Sequence, residues 1–278
     1  MFGPILRTSF VAGAVVAAAL ASGALAQPSK STPDFSSNDF GWVSMRGGVV
    51  PMPGSPPPVG QDPSRPLVAN NTGQQPTFPY ADLNNANLTP FARDGLKKAN
   101  ALADTGFAMY SRASRCWATG VPVALNSVVQ PIFFIQTPKE VITISQGDQI
   151  VRHIYLDVPH SKNPKPSWYG ESVGRYEGDW LVVDTIAQDT RTFIDNFRTP
   201  HSDKLHVEER YHLIDGGKTL EAQVTIEDPA SLIQPVHLQM RSRKSQGGII
   251  ESRCADGESF NPFGQKEEPI PVAAKPDF

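Results

Sequence analysis

The run Leu205-His206-Val207-Glu208-Glu209-Arg210-Tyr211-His212-Leu213 carries the clearest pattern in this chain. Leu, Val, Glu, Tyr and Leu fall on one parity, and His, Glu, Arg and His on the other. Side chains alternate across a strand, so this spacing predicts a half-buried strand with an acid, Glu209, on its apolar face. Two more runs alternate in the same way. Leu220, Ala222, Val224 and Ile226 oppose Glu221, Gln223, Thr225 and Glu227, while Val236, Leu238 and Met240 oppose His237, Gln239 and Arg241. Strands of this kind have one wet and one buried face, as antiparallel sheets do.

Short β-branched and aromatic runs extend the pattern over 131–136, 141–145, 149–156, 172–176, 180–186, 205–214, 219–227, 236–243 and 248–254. Glu177-Gly178-Asp179 and Asp215-Gly216-Gly217 are hairpin signatures between four of these runs. About nine strands with short connections leave little room for crossover helices, which favours antiparallel neighbours. The predicted fold is mainly β: an antiparallel up-and-down, calycin- or lipocalin-like barrel, or a strongly curled sheet. A β-sandwich is the alternative. One amphipathic helix is predicted between Asp82 and Ala103, capped by Thr89, opened by Pro90 and striped by Phe91, Leu96, Ala99 and Leu102.

Polar residues in apolar phase are the first chemical candidates. Arg152 shares a parity with Ile150, Ile154 and Leu156, and Asp184 with Trp180 and Val182. A buried carboxylate left alone costs several kcal/mol, so something inside the protein must answer Glu209. A bidentate Arg152–Glu209 pair would do so, either as a purely structural ion pair or as the floor of a ligand cavity. Arg152, Asp184, Trp168, Tyr155 and Glu171 are accordingly the expected ligand-binding residues. Loops supply the second group. Asp157-Val158-Pro159-His160 leads to Trp168-Tyr169-Gly170-Glu171, and Asp195 precedes His201 in a later loop. Histidine beside a carboxylate can act as a base. Glu209, His201 and His160 are therefore the candidate catalytic residues, with turn-making hydrogen bonds as the plainer reading of both histidines. No zinc-type spacing, nucleophile elbow or phosphate-binding fingerprint is present, so no metal or cofactor is expected.

Composition places these elements in a compartment. Arg7, the apolar run Phe10–Leu20 and Ala24-Leu25-Ala26 before Gln27 read as a secretory signal peptide cleaved after Ala26, giving a periplasmic or secreted protein with no membrane span. Residues 27–80 are rich in Pro, Gly, Ser and Asn and are expected to be a disordered or extended tail. A single β-rich domain over 81–262 and a polar tail over 263–278 complete the chain. In an exported protein the two cysteines, Cys116 and Cys254, are expected to form one disulfide. A net charge of −3 without a basic run argues against a nucleic-acid partner.

Several motifs together resemble a family of secreted proteins common in soil bacteria. They include Cys116 with Gly120-Val121-Pro122, Gln136-Thr137-Pro138, Pro166-Ser167-Trp168, Gly170 through Asp179, Leu181 through Thr185, Pro200-His201-Ser202, Leu205 through Arg210 and Val224 through Pro229. The resemblance covers most of the chain from Leu88 onward, and it implies export and a shared fold but no particular reaction. The chain departs from the family at Val158-Pro159, where Gly-Arg is usual, and at Ile186-Ala187-Gln188, where Gly-Phe-Asn is usual. A likeness to lipocalin barrels rests on strand pattern alone. Three functions follow as expectations: a barrel binding a small, partly apolar molecule inside; an enzyme (lyase, isomerase or hydrolase) using Glu209 or a His–carboxylate pair; or an envelope interaction protein acting through its Pro-rich tail.

Overall fold

The computed structural model describes residues 32–66, 79–104, 118–127 and 130–250, and the backbone of 107–108 and 266–267. The signal peptide, Cys116 and Cys254 lie outside the described residues, and so does most of the 263–278 tail.

In chain order the elements are β1 (Trp42–Pro51), α1 (Pro90–Asp104), β2 (Phe107–Ala108), β3 (Ile132–Gln136), β4 (Glu140–Ser145), β5 (Val151–Leu156), β6 (Glu171–Glu177), β7 (Trp180–Ile186), β8 (His206–Ile214), β9 (Thr219–Glu227), β10 (Val236–Lys244) and β11 (Lys266–Glu267). Nine of the strands close a barrel in the order β1-β10-β9-β8-β7-β6-β5-β4-β3, and β1 meets β3 at Trp42 and Ile132 to complete the ring. The remaining two, β2 and β11, form a short parallel pair. The expected closed barrel is present, and the sandwich alternative is not.

An odd number of strands cannot close with every neighbour antiparallel. One pair must be parallel, and it is β5–β6, with Ile154 opposite Ser172 and Leu156 opposite Gly174. A parallel pair needs a long crossover, and residues 157–170 supply it. The loop that carries His160, Trp168 and Tyr169 is thus a consequence of the strand count.

The ring differs from the sequence expectation in one stave. The segment 248–254 was expected to be the last strand, yet 248–250 are not strand. The missing stave is β1, which lies within the stretch expected to be a free tail. It pairs with β10 through Trp42–Lys244 and Pro51–Leu238, with a register shift between Ser44 and Val49 where Gly47 takes a φ of 69°. The Pro- and Gly-rich flanks hide an aromatic and β-branched run, Trp42-Val43 and Val49-Val50. Even the stretch before it is tied down: Gln136 accepts from the Phe35 amide at 2.6 Å and donates to the Pro33 carbonyl at 2.8 Å, and Phe35 is buried against Phe134.

The barrel interior is the main core, built from the inward parities of the strands: Ile154, Leu181, Val183, Val207, Tyr211 and Val224 are each 1 % exposed or less. The helix lies in a second, smaller cluster, where Ala92 and Leu96 pack with Ala81 and Leu88. Thr89 caps it as predicted, accepting from the Ala92 amide at 3.3 Å. Leu96 is buried as expected, but Ala92 and Ala103 take the place of Phe91 and Leu102 in the buried stripe, leaving Phe91 half exposed.

Candidate functional site

Three polar constellations surround or fill the barrel, and the sequence-predicted residues divide among them.

The first is inside. Arg152 on β5 and Glu209 on β8 are 4 % and 0 % exposed and meet through both carboxylate oxygens, Nη1 donating to Oε1 at 3.1 Å and Nη2 to Oε2. Strands β6 and β7 run between them and supply two more acceptors. Arg152 Nε donates to Ser172 Oγ at 3.0 Å and Nη2 to Thr185 Oγ1 at 2.7 Å, while the Tyr211 hydroxyl donates to Glu209 Oε1. Burial alone would disfavour a charged guanidinium, but the Glu209 carboxylate outweighs it and raises the Arg152 pKa. Burial and the same carboxylate push the Tyr211 phenol well up, so it remains a donor. The pair expected from strand parity is therefore present, with four protein hydrogen bonds on the guanidinium. No face of Glu209 is left for a substrate.

Asp184 does not join it. The inward residues of β7 are Leu181, Val183 and Thr185, while Asp184 is half exposed on the outer wall. Three consecutive apolar residues, Leu181-Val182-Val183, left the parity of β7 undetermined, and the inward polar residue turned out to be a threonine. Tyr155 and Trp180 also face outward. Tyr155 is 49 % exposed beside the parallel-stacked His153, and Trp180 lies on His212 with ring centroids 3.6 Å apart. Of the expected interior aromatics, Trp168 alone packs partly on the core, with the Arg191 guanidinium 4.4 Å over its ring.

Asp184 instead centres the second constellation, a chain of alternating carboxylates and imidazoles on the outer surface. Glu171 Oε1 lies 3.0 Å from His160 Nδ1, His160 Nε2 lies 2.7 Å from Asp184 Oδ1, Asp184 Oδ2 lies 2.8 Å from His206 Nε2, and His206 Nδ1 lies 3.0 Å from Glu227 Oε2. Ser161 adds its amide and hydroxyl to Glu171 at 2.7 and 2.6 Å. The hydrogen bond to Asp184 raises the His206 pKa to about 9 against the cost of partial burial. His206 then holds Asp184 below the usual carboxylate range, helped by His160. Bonds from Ser161 lower Glu171 similarly. Both nitrogens of His206 face carboxylates, which suits the imidazolium. His160 was expected near Glu171, and the two are indeed together; His206 and Glu227 were not expected. Among the described residues no group of three His, Cys, Asp or Glu side chains is arranged to hold a metal ion.

His201 lies apart from both groups. It is buried, with Nε2 2.8 Å from Thr192 Oγ1 and Nδ1 2.8 Å from the Ser202 carbonyl. Asp195 turns back on its own loop, accepting from the Thr199 hydroxyl at 2.6 Å and the Phe197 amide at 2.9 Å, and burial raises its pKa. The three candidate catalytic residues, Glu209, His160 and His201, thus bond to separate sets of partners.

The third constellation was not foreseen. The segment 118–127, with a 3-10 turn at Val123–Asn126, packs Val121 and Ala124 into the barrel core. Gln188 holds Val121 through both backbone groups, accepting from its amide at 2.9 Å and donating to its carbonyl at 3.0 Å. Asp148 accepts from the Thr119 amide and hydroxyl at 2.9 and 3.1 Å and from the Tyr169 hydroxyl at 2.8 Å. Two small voids of about 10 Å³ each border this segment. The sequence gives it no period-2 alternation, so pattern reading passes over it.

Among the described residues no helix is long and apolar enough to cross a membrane. No protein-family model matches the chain, and no curated protein or solved structure matches it. The resemblance to secreted soil-bacterial proteins therefore rests on the motifs themselves.

Proposed function

We propose that this is an exported barrel protein that binds a small, partly apolar molecule in its interior. The observation that carries the reading is the lining of the two interior voids. Apolar side chains from Trp42, Phe134, Leu220 and Met240 border one, and Thr143, Ser145, Arg152 and Tyr169 border the other, with Phe134 and Tyr211 common to both. An apolar wall with a few convergent polar groups is what small-molecule sites are made of. At about 10 Å³ each void has room for one water molecule. A ligand therefore requires part of the filling to yield.

The other two readings have less support. Glu209 is 0 % exposed and hydrogen-bonded to two partners, so it is not placed to take a proton from a substrate. The Pro-rich stretch is fastened to the fold rather than free. The Met52 amide donates to the His237 carbonyl, the His237 amide donates to Ser55 Oγ, and Asn85 donates to the Pro57 and Pro58 carbonyls. Native mass spectrometry of protein purified without denaturation is the direct test. A retained neutral mass lost on Ala222→Trp, which fills the interior beside Tyr211 and Met240, is the expected result. A ligand retained unchanged by that variant would place binding elsewhere.

A further inference from the structure

The interior of this barrel is filled by a segment that is not one of its staves. Residues 118–127 belong to no barrel strand, yet Val121 and Ala124 are 1 % and 6 % exposed inside the same core as the strands. Both voids are bordered by Ala124 and Leu125. Ile132, Phe134 and Tyr211 of the wall border both voids as well, so the segment and these three side chains lie together between Trp42 and Met240 on one side and Thr143, Ser145 and Arg152 on the other.

The segment is held in place differently from the walls around it. A stave is fixed by a ladder along its length, as in the eight residue pairs from Val236–Ile226 to Arg243–Thr219. Among the described residues, 118–127 are held by the Gln188 carboxamide on Val121, the Asp148 carboxylate and Tyr169 hydroxyl on Thr119, the Gln130 amide on Ser127 Oγ and one backbone bond, from the Ser44 amide to the Ser127 carbonyl at 2.9 Å. Gln188 is the catch at the centre. Gly120 lies against it with a φ of 72°, and a Cβ there would stand 2.8 Å from Gln188 Oε1 and 3.1 Å from Thr192.

The charges of the cavity floor constrain what can enter. Arg152 and Glu209 neutralise each other, and Ser172, Thr185 and Tyr211 complete their hydrogen bonds. Among the residues lining the voids an anionic ligand group would meet no unpaired positive charge, and its burial is strongly disfavoured. Hydroxyls of Thr143, Ser145 and Tyr169 instead border the polar void, and these can meet an alcohol or a carbonyl.

We propose that residues 118–127 are a removable plug lying in the ligand's place, caught by Gln188, and that the ligand is a neutral, mostly apolar molecule with one hydroxyl or carbonyl end. This rests on the interior-binding reading above. Release of the plug makes the apparent affinity equal to the intrinsic affinity scaled by the fraction of open molecules, so weakening the catch should tighten binding.

The test is a fluorescence titration of the full exported chain with N-phenyl-1-naphthylamine, a neutral apolar probe, in wild type, Gln188→Ala and Gly120→Ala. Near-ultraviolet circular dichroism verifies the fold of each variant. Either folded variant should bind the probe about tenfold or more tightly than wild type if the open fraction rises in proportion, and 1-decanol should displace it where decanoate does not. Unchanged affinity in the folded variants, or no binding by any of them, overturns the plug. Equal competition by decanoate overturns the neutral class of ligand. Ala222→Trp, combined with Gln188→Ala, separates the two readings. Probe binding that survives it is outside the barrel, and the interior reading fails with the plug. Binding abolished by it but indifferent to Gln188 and Gly120 leaves the interior reading standing and removes the plug alone.

Discussion

The barrel answers the same problem, a carboxylate on a strand, in two ways a few residues apart. Glu209 faces inward on β8 and is 0 % exposed, closed off by Arg152 and Tyr211. Asp184 faces outward on the neighbouring β7 and is held between two imidazoles, its side chain 32 % exposed. Inside, the partner is a permanent cation, and the pair is shut away from bulk solvent. Outside, the partner His206 titrates with a raised pKa, and water competes for every bond. The first arrangement makes a fixed structural element whose parts cannot be removed one at a time. The second makes a fastening for the crossover loop that depends on pH and salt.

The sharpest way to break this comparison is to remove one member of the interior pair. Arg152→Met or Glu209→Leu alone should destabilise the fold by about 3–5 kcal/mol, because each strands a buried charge. The double variant should recover most of that loss, since two apolar side chains of similar volume replace the pair. Urea midpoints of the three variants check it. Losses that simply add would mean the two groups do not answer one another. The pair also discriminates register. It spans β5 to β8, with Ser172 and Thr185 between, and a slip of one residue would turn a charge to the opposite face.

Tyr211→Phe makes a smaller cut into the same cluster. The lost bond runs to a charged acceptor, so the expected cost is about 1.5–3 kcal/mol. Ser172→Ala removes a neutral acceptor from the charged Arg152 guanidinium, so its cost should fall in the same range. If Tyr211→Phe matched the cost of Arg152→Met, the hydroxyl rather than the ion pair would be the cluster's main support.

The interior half of this comparison was legible in the sequence, and the outer half was not. On β8, up to Leu213, apolar and polar residues alternate apart from Glu209 itself, and on β5 Ile154 and Leu156 mark the parity of Arg152, although Val151 and Tyr155 lie on the outer face. On β7 the alternation is broken by Leu181-Val182-Val183, and Asp184 was assigned to the wrong wall. His206, by contrast, sits at an outward parity that the pattern did predict. What pattern cannot supply is the neighbour across the sheet, here Asp184 on β7 and Glu227 on β9. The stave β1 was missed because its apolar run is embedded among Pro and Gly, and its stability comes from β10 and β3 rather than from its own composition. The plug carries no periodicity at all. Its place is set by Gln188 and Asp148, residues distant in sequence.

The outer chain carries the smallest expected effect and the clearest dependence on pH. The folded pKa of His206 is raised to about 9 from its ordinary 6.5, so its contribution is complete below 6.5 and lost as pH rises through 9. The folded pKa of Asp184 is lowered from its ordinary 3.8, so its contribution is complete above that value and lost as pH falls below it. Stability from this chain should therefore plateau between about pH 4.5 and 6.5, with one limb on each side. At these exposures solvent screening limits the whole effect to about 1 kcal/mol or less. Asp184→Asn should flatten both limbs, because Asp184 is the bond shared by His160 and His206, while His206→Gln should remove the alkaline limb and shrink the acid one, since His206 is the main group that lowers Asp184. Half-molar salt should shrink the limbs in wild type and leave the interior pair's double-variant recovery unchanged. Thermal melts across pH and salt measure all of this. A wild-type profile that kept both limbs in Asp184→Asn would assign the pH dependence to other groups and dissolve the contrast between the two walls.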